Sequence, residues 1–450
     1  MYNDTMKDIK FTISGLRGVW GTELTPETAE RYIDAYIVYL QKRNAKKIII
    51  GRDARVSGPT ITDIVTRRVT DAGINIVDIG IVPTPTVIFL LRTLGLDGGI
   101  MVSASHNPRE YNGIKFLSKD ALYLNQSEVD EVKTYLGTPI ESIETKGVYE
   151  YDTELGEKHV EHILSHVDTE RIKEKMFRVV LDPINSSGYL LGPLLLEKLG
   201  CTPIVINGFA TGDFAHIPEP LPENLNSLAD KVKLFKAHIG FALDPDADRL
   251  VVCDETGTVV FEEYTLSLAI KRILEREKTD IVINLSTSNT NADLAREAGV
   301  AIHRTSVGEM NVVAGMTEHH AQMGGEGGGG VIYKPMNLCR DSLAGMALIL
   351  ELLATSGKTV SELVATLPKW EFIKTKIPFS GTIDTIKDTL IAQFSNATTD
   401  TRDGLRFDFP DQSWVQIRVS NTEPIIRIFA EGKNKAEIED KIAQIQKMVV

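Results

Sequence analysis

Short apolar segments that break abruptly into polar or glycine-rich loops recur along this chain and alternate with helical patterns. Examples are Ile48–Ile50, Ile100–Val102, Val179–Leu181 and Ile239–Leu243. Apolar runs of this length are typical of strands that are buried on both faces, as in parallel sheets covered by helices. Parallel neighbours need a crossover connection, which is usually a helix. The alternation therefore predicts α/β domains built on mostly parallel sheets.

Three such units follow one another, and a different pattern begins near Trp370. We predict three similar mixed α/β domains at 1–150, 151–257 and 258–368, because 450 residues are too many for a single core. Beyond Trp370, short β-type segments surround one helix and precede a last helix. This order favours a smaller C-terminal α+β domain at 369–450.

Composition excludes several classes of partner. The formal net charge of −13 argues against nucleic acid and against an anionic membrane surface, but allows a phosphorylated small molecule where basic residues gather. No apolar run approaches the roughly 20 residues that span a bilayer, and the first residues carry no secretory signal. The cysteines Cys201, Cys253 and Cys339 are few and far apart, as expected for reduced thiols in a cytoplasmic protein.

A loop with chemical character, Ser103–Pro108, directly follows the apolar segment Ile100–Val102. A serine placed where a buried strand opens into a loop presents its hydroxyl at the edge of a parallel sheet. Ser105, with His106 beside it and Lys115 shortly after, predicts a nucleophile loop, and the alternative is a polar turn that only closes the strand. His106 is not automatically the base, because consecutive side chains of an extended chain point to opposite faces.

Three carboxylates, Asp244, Asp246 and Asp248, stand at alternate positions directly after another apolar segment. Alternate positions share a face, so a slight turn brings the three onto one hard cation, for which magnesium is the natural choice beside phosphate. A calcium-binding EF-hand loop is excluded, because Arg249 stands where that loop requires glycine. A solvated acidic turn is the remaining alternative. Arg249 is a candidate to hold a phosphate oxygen.

Glycine-flanked side chains mark two further loops. Gly324–Gly330 carries a single functional side chain, Glu326, whose carboxylate can accept hydrogen bonds from sugar hydroxyls. A mobile surface loop is the alternative there. Near the N-terminus, Arg17 lies between two glycines and suits phosphate through its fork of donors. A plain glycine turn with a solvated arginine is the simpler alternative for that segment.

The segment Arg418–Arg427 in the last domain has the chemistry of a phosphate cradle. Its two terminal arginines enclose hydroxyl and amide side chains, namely Ser420, Asn421 and Thr422. An ordinary hairpin turn is the alternative, but such a turn does not need both arginines.

Taken together and in this order, the motifs resemble those of the α-D-phosphohexomutase family, which holds phosphoglucomutases, phosphomannomutases and phosphoglucosamine mutases. The resemblance rests on residues 103–108, 244–249, 325–326 and 418–427, with 14–18 and 51–53 as further markers. It implies three similar α/β domains and a smaller fourth around a central cleft. It also implies that Ser105 is a phosphoserine, that Ser105 and the three aspartates bind Mg²⁺, and that the fourth domain grips the substrate phosphate.

The reaction implied by this resemblance interconverts hexose 6-phosphate and hexose 1-phosphate through a 1,6-bisphosphate, which also serves as activator. Lys115 and Arg17, in loops expected to flank the transfer, are the candidates for acid–base catalysis and phosphoryl stabilisation. His106 is a second candidate for proton transfer. A monomer or homodimer is expected. The rival interpretations are a phosphatase that uses the same serine and metal, and a sugar-phosphate-binding protein without turnover.

Two departures from the family pattern bear on the sugar. Gly328 and Gly330 stand where family members usually carry Ser and His, and Glu309 and Met310 lie where a His or Lys is often found. The glycine-filled loop followed by Arg340-Asp341 is most similar to one bacterial group of phosphoglucosamine mutases. The resemblance therefore favours glucosamine 6-phosphate as substrate and glucosamine 1-phosphate as product. A phosphoglucomutase/phosphomannomutase of broad specificity is the alternative.

Overall fold

The computed structural model of the protein describes residues 9–141, 143–419 and 424–449. The chain divides into two compact units. The first consists of Met1–Thr265 with Gly328–Glu362, and the second of Leu266–Gly327 with Leu363–Val450. Each unit contains a sheet and a hydrophobic core of its own.

The first unit begins with a seven-stranded sheet. Its strands are β1 (Phe11–Thr12), β2 (Gly15–Val19), β3 (Lys47–Arg52), β4 (Asn75–Ile81), β5 (Gly98–Val102), β6 (Tyr111–Ser118) and β7 (Tyr149–Tyr151). The accompanying helices are α1 (Pro26–Gln41), α2 (Gly58–Asp71), α3 (Thr84–Thr93) and α4 (Gln126–Thr134). The strand order is β1-β2-β6-β5-β3-β4-β7. Strands β5, β3 and β4 run parallel, as the apolar segments predicted, and β7, which the sequence did not predict, pairs in parallel with β4.

The other half of this sheet is antiparallel, which the sequence did not predict. β6 pairs antiparallel with both β5 and β2, so Arg17 and Lys115 lie in strands and not in the loops expected for them. Gly113 makes the close pairing possible, because a Cβ atom there would lie 2.5 Å from the Ser103 carbonyl oxygen. The antiparallel half therefore brings both cations alongside the strand that leads to Ser105.

The second sheet of this unit contains β8 (Arg178–Asp182), β9 (Thr202–Val205), β10 (Ile239–Leu243) and β11 (Leu250–Cys253). Its helices are α5 (Glu157–Leu164), α6 (Thr169–Lys173), α7 (Leu191–Lys198) and α8 (Asn226–Phe235). The order is β11-β10-β8-β9, with β9, β8 and β10 parallel and β11 antiparallel to β10. β10 and β11 thus form a hairpin with residues 244–249 at its tip.

A third group of elements begins with α9 (Glu263–Arg276), β12 (Ile281–Asn284), α10 (Asn289–Ala298), β13 (Ile302–Thr305), α11 (Glu309–Glu318) and β14 (Met323–Glu326). β13, β12 and β14 are parallel neighbours in the second unit. β13 and α11 did not stand out in the sequence, because their short patterns mix polar and apolar residues.

Residues 328–362 belong to the first unit and carry β15 (Gly330–Tyr333), α12 (Ser342–Ser356) and the start of α13 (Val360–Thr366). α12 is buried along nearly its whole length, as expected for a helix that is apolar on every side. Among the described helices, none is by itself both long and apolar enough to cross a bilayer. α12 and α13 pass that test only as a pair, and they are bent by 88°.

The chain ends in a five-stranded antiparallel sheet of the second unit. Its elements are β16 (Glu371–Pro378), α14 (Asp384–Gln393), β17 (Thr398–Asp400), β18 (Leu405–Asp408), β19 (Trp414–Val419), β20 (Ile425–Gly432) and α15 (Lys435–Val449). The order is β16-β20-β19-β18-β17, and residues of both helices join its core. The predicted fold class, three mixed α/β domains and a smaller C-terminal α+β domain, is confirmed.

Candidate active site

Ser105 lies in the loop that follows β5, a strand in which every residue is buried. Its backbone has a φ of +50°, a left-handed conformation that residues other than glycine rarely adopt. The Ser103 hydroxyl accepts a hydrogen bond from the Ser105 amide at 2.9 Å and donates to Asp53 Oδ2 at 2.7 Å. Strained residues held in this way are often found where chemistry takes place. The turn presents the Ser105 hydroxyl in a fixed direction.

Arg55 fixes the course of this loop, a role that its sequence context did not predict. Its guanidinium is completely buried and pairs with Asp53 at 3.0 Å. It also donates to four backbone carbonyl oxygens, those of the loop residues Ser105 (2.6 Å), Asn107 (2.7 Å) and Pro108 (2.5 Å) and that of Tyr111 at the start of β6 (2.9 Å). Arginine suits this position because it offers five donors in a planar fork. The only signal in the sequence was the nearby family marker at residues 51–53.

The Ser105 hydroxyl faces both His106 and the aspartate loop. Its Oγ lies 3.3 Å from His106 Nδ1 and donates to Asp244 Oδ2 at 3.2 Å. Neighbouring side chains diverge on an extended chain, but the left-handed turn at Ser105 brings these two together. The structure thus joins two motifs that are 139 residues apart in the sequence.

The aspartate loop is a tight turn at the tip of the β10–β11 hairpin. Asp244 Oδ1 accepts hydrogen bonds from the backbone amides of Asp248 and Arg249, both at 3.1 Å, and Ala247 adopts a φ of +54°. The turn gathers the carboxylates of Asp244, Asp246 and Asp248, so that one oxygen of each lies within 4.8 Å of the others. All three residues are buried, which excludes a solvated acidic turn.

The donor set fits a hard divalent cation. Asp246 Oδ1 and Asp248 Oδ1 are buried and find no hydrogen-bond partner within the described residues. A buried carboxylate oxygen without a partner is unfavourable, and Mg²⁺ or Ca²⁺ satisfies such oxygens because these ions prefer oxygen ligands. Ser105 Oγ, 3.2 Å from Asp244 Oδ2, lies within reach of the same cation.

The carboxylates of the trio repel one another, and their pKa values diverge. Burial, followed by the charges of Asp248 and Asp246, raises the pKa of Asp244 well above its ordinary value. Burial also acts to raise the pKa of Asp246, but the nearby Lys115 and Thr84 outweigh it and lower that pKa. Asp246 is therefore held as an anion, and a bound cation stabilises the charged form of its neighbours.

Lys115 and Thr84 hold the same oxygen of Asp246. Lys115 Nζ and Thr84 Oγ1 each donate to Asp246 Oδ2 at 2.5 Å. The Thr84 amide also donates to the Asp246 carbonyl at 2.9 Å. Lys115 is only 2% exposed, so this ion pair is shielded from water. Thr84 carried no signal in the sequence, because it is an ordinary residue at the start of α3.

Arg17 points toward the trio from β2. Its Nη1 donates to Asn107 Oδ1 at 3.4 Å, and its Nε is buried without a hydrogen-bond partner among the described residues. Burial lowers the pKa of Arg17, whereas Asp246 and Asp248 raise it. A guanidinium N–H that is buried and still available beside the Ser105 loop is suited to a phosphoryl oxygen.

The positive charges of three arginines help to keep His106 neutral. Arg249 has the largest effect, and together with burial, Arg17 and Arg340 it lowers the pKa of His106 to about 2. Arg340 Nη2 also donates to Asp248 Oδ2 at 2.5 Å, a contact that the sequence did not predict. Arg17, which contacts the Ser105 loop, and Arg340, which contacts the aspartate loop, are suited to bind a phosphate group.

Glu326, the predicted sugar ligand, lies at the end of β14 in the second unit. Its Oε1 accepts hydrogen bonds from Asn284 Nδ2 at 2.7 Å and from the Gly308 amide at 2.8 Å. Glu326 is 6% exposed, and Glu309 is buried as well. The carboxylate is therefore oriented by its own unit and does not lie on a mobile surface segment.

Arg418 and Arg427, the predicted phosphate ligands, lie directly opposite each other on β19 and β20. Arg418 Nε donates to Asp403 Oδ1 at 2.9 Å, and Arg427 is exposed. Like charges opposite each other destabilise a sheet, so an anion that both can reach is favoured there. Their predicted companions Ser420, Asn421 and Thr422 lie outside the described residues.

Four models of one protein family match the chain in succession. The phosphoglucomutase/phosphomannomutase alpha/beta/alpha domains I, II and III match residues 8–141, 157–257 and 262–370. The C-terminal domain of phosphoglucomutase/phosphomannomutase matches residues 383–448. The matches cover most of the sequence, in the family's own order.

Full-length relatives and a solved structure agree with these matches. A phosphoglucomutase/phosphomannomutase of Thermococcus kodakarensis is 35% identical over 438 residues, which is 96% of each chain. A phosphoglucosamine/phosphogalactosamine mutase of Sulfurisphaera tokodaii is 33% identical over 98% of each chain. The crystal structure of a phosphoglucomutase/phosphomannomutase family protein from Burkholderia thailandensis aligns with a TM-score of 0.86 at 28% identity, covering 97% of this chain and 96% of that one.

Proposed function

The chain belongs to the phosphoglucomutase/phosphomannomutase family and is a phosphohexomutase, and on this premise we propose that it isomerises hexose phosphates through a phosphoserine at Ser105. The observation that carries the proposal is the 3.2 Å contact between Ser105 Oγ and Asp244 Oδ2 in a buried carboxylate trio. A serine hydroxyl exchanges phosphate only where charge is neutralised and the groups are well positioned. The nearby arginines supply positive charge, and the carboxylates supply ligands for a cation that adds to it.

The residues proposed to hold Mg²⁺ are Asp244, Asp246, Asp248 and Ser105. The unpaired buried oxygens of Asp246 and Asp248 support this assignment. When bound, Mg²⁺ neutralises charge on the phosphoryl group that is being transferred. Lys115 and Thr84 keep Asp246 in one orientation, and Arg340 does the same for Asp248.

In the proposed transfer, a sugar hydroxyl attacks the phosphorus of phospho-Ser105. The bond from phosphorus to Ser105 Oγ breaks as the new bond to the sugar oxygen forms. Lys115 gives a proton to Ser105 Oγ and regains one from the attacking hydroxyl, with His106 as the second candidate for this proton transfer. Arg17 stabilises the oxygens of the phosphoryl group. The resulting 1,6-bisphosphate then returns its other phosphoryl group to Ser105 by the reverse steps, and added hexose 1,6-bisphosphate acts as activator.

Further residues are assigned to the substrate's remaining groups. Arg418 and Arg427 bind the phosphate that is not reacting, with Ser420, Asn421 and Thr422 as further ligands. Arg249 also binds substrate phosphate. Glu326 binds sugar hydroxyls, and its fixed orientation supports this role.

Domain assignments follow the same pattern. We propose four domains: residues 1–150 carry the phosphoserine, 151–257 bind the metal, 258–368 recognise the sugar, and 369–450 bind phosphate. The four family segments support this division, because their limits fall close to these boundaries.

Glucosamine phosphate is the proposed substrate. Glu326 and Glu309 are buried carboxylates, and Gly328 and Gly330 supply neither the hydroxyl nor the imidazole usual in the family. A protonated 2-amino group of the sugar is attracted by the negative charge of these carboxylates, whereas a neutral 2-hydroxyl is not. One charged hydrogen bond contributes roughly 1.5–3 kcal/mol, enough for about ten- to hundredfold discrimination. The similarity to a phosphoglucosamine/phosphogalactosamine mutase supports this choice, and the similarity to a phosphoglucomutase/phosphomannomutase keeps broad specificity as the second candidate.

The test compares glucosamine, glucose and mannose 6-phosphates as substrates, with isomer formation and free phosphate measured in the same samples. We expect isomerisation to exceed phosphate release, with kcat/KM highest for glucosamine phosphate. A glucose or mannose phosphate preferred by about tenfold would overturn the sugar assignment and leave the mutase assignment intact. Phosphate release as the main reaction would instead identify a phosphatase.

A further inference from the structure

A cavity of about 630 Å³ lies in the first unit at the amino ends of β8 and β10. Phe177, Ala237 and Leu353 are buried residues that form its apolar floor. The volume lies within the range of roughly 300–1,000 Å³ that is usual for small-molecule sites. The aspartate loop lies at the opposite, carboxyl end of β10, a strand of five residues that spans roughly 16 Å. The cavity is therefore separate from the candidate active site.

Four lysines surround this cavity, Lys175, Lys233, Lys236 and Lys358. All four are exposed, and their ammonium groups make neither a hydrogen bond nor an ion pair within the part of the chain that the structure describes. This concentration of positive charge occurs in a chain whose formal net charge is −13. Lysines that converge on one cavity without carboxylate partners create a positive potential that favours an anion.

Glu255 is the single carboxylate among the described residues that line the cavity, and it already accepts hydrogen bonds from another residue. Its Oε2 accepts from the Ser361 amide at 3.2 Å, and its Oε1 accepts from the Ser361 hydroxyl. The carboxylate is thus tied to the start of α13 and is not paired with any of the four lysines. The positive charge of the cavity is therefore only partly compensated.

The backbone that carries Lys236 is held in place by Arg178. Lys236 ends α8 with a φ of +48°, a left-handed position where glycine or asparagine is usual. Arg178 Nη2 donates to the Lys236 carbonyl at 2.7 Å, and the Arg178 amide donates to His238 Nδ1 at 2.9 Å. The His238 ring in turn packs edge-on against Phe177, with centroids 5.6 Å apart. The wall of the cavity is therefore preorganised on this side.

We propose that this cavity binds a small anion that carries a di- or triphosphate group. The flexible, strongly hydrated lysine ammonium groups match several phosphate charges without demanding one geometry. The apolar floor has room for an organic group attached to the phosphates. A free inorganic polyphosphate and a nucleoside triphosphate share this chemistry, and the floor distinguishes them because only the nucleotide has a ring system to cover it.

Lysine footprinting of the full-length protein tests the proposal site by site. The protein is briefly acetylated with and without tripolyphosphate or ATP, and the modification of each lysine is measured by mass spectrometry. We expect either anion to slow the acetylation of Lys236 and Lys358 at least fivefold, and added salt to remove the protection. Exposed Lys119, which lies outside the cavity, should be unaffected. Equal acetylation of Lys236 and Lys358 with and without both anions would overturn the proposal.

Variants provide an independent measurement by calorimetric titration. The double variant Lys236→Asn/Lys358→Ala removes two charges, and asparagine tolerates the left-handed backbone at position 236. We expect at least a tenfold loss of affinity for this variant and unchanged affinity for Lys119→Ala, with mutase activity intact in both. Stronger binding of ATP than of tripolyphosphate would identify the nucleotide as ligand, and equal binding the inorganic anion. Equal affinities of the double variant and the wild type would contradict the proposed site.

Discussion

Lys115 Nζ lies 2.5 Å from Asp246 Oδ2, and both side chains are buried. Removing one partner of a buried ion pair leaves an uncompensated charge, which typically costs about 3–5 kcal/mol. We therefore expect Lys115→Met to destabilise the protein strongly. Adding Asp246→Asn to that variant should restore part of the lost free energy of unfolding. Denaturant unfolding of the two single variants and the double variant measures this coupling. Strictly additive changes would show that the two side chains do not depend on each other.

Ser105→Ala is expected to abolish mutase turnover, because the alanine side chain cannot accept a phosphoryl group. Intact-mass analysis with peptide mapping should locate phosphate on Ser105 in the active wild type and find none in the variant. Ser127→Ala, an exposed serine on α4, serves as the matched control and should retain full activity. Full activity of Ser105→Ala would rule out the covalent mechanism.

Asp248→Asn should weaken Mg²⁺ binding and slow phosphoryl transfer, because it removes one charge from the proposed ligand set. The fold should survive, since asparagine preserves the shape of the side chain and an oxygen that accepts from Arg340, which is not fully buried. Mg²⁺ titration by calorimetry and activity at varied Mg²⁺ measure both effects. Asp120→Asn changes an exposed aspartate and should leave both unchanged. Undiminished activity of the wild type in excess chelator would contradict a role for the cation.

Arg427→Ala should chiefly raise KM, because a contact to the non-reacting phosphate is made equally in the ground state and the transition state. Loss of one charged hydrogen bond weakens binding by roughly 1.5–3 kcal/mol, which raises KM about ten- to hundredfold. Steady-state kinetics with the sugar phosphate measure the effect, and Arg31→Ala on the exposed side of α1 is the control. A large fall in kcat at constant KM would instead place Arg427 in the chemical step.

Glu431 makes the stability of the protein depend on pH. Burial raises its pKa from 4.5 to about 7, despite hydrogen bonds from Ser288, Asn289 and Trp414 and the charge of Arg304. Between these two values the unfolded chain loses the proton before the folded one does, so the contribution of Glu431 to stability falls as pH rises and is constant above about 7. At about 1.4 kcal/mol per pKa unit, the loss is about 3 kcal/mol. Glu431→Gln should remove this slope from unfolding curves measured between pH 4 and 8, and an identical slope in both proteins would contradict the assignment.

The sequence by itself determined the order of the main elements and the motifs of the site. Apolar runs such as Ile239–Leu243 favour buried strands, and alternate carboxylates directly after such a strand favour a cation site. These signals are local, because a strand and the turn that ends it are encoded by adjacent residues. Ser105, the aspartate trio and the two C-terminal arginines could all be named on this basis.

Only the tertiary structure decided which of these groups meet and what holds them. Arg55 binds carbonyl oxygens some fifty residues away, and Thr84 holds Asp246 across 162 positions. A side chain whose partners are backbone atoms or distant residues has no pattern in its own neighbourhood. The antiparallel pairing of β6 likewise depends on close contact at Gly113. This pairing places Lys115 in a strand, where the sequence had predicted a loop. The physical reason is common to all of these cases: burial and hydrogen bonding act between residues that are close in space, whatever their separation along the chain.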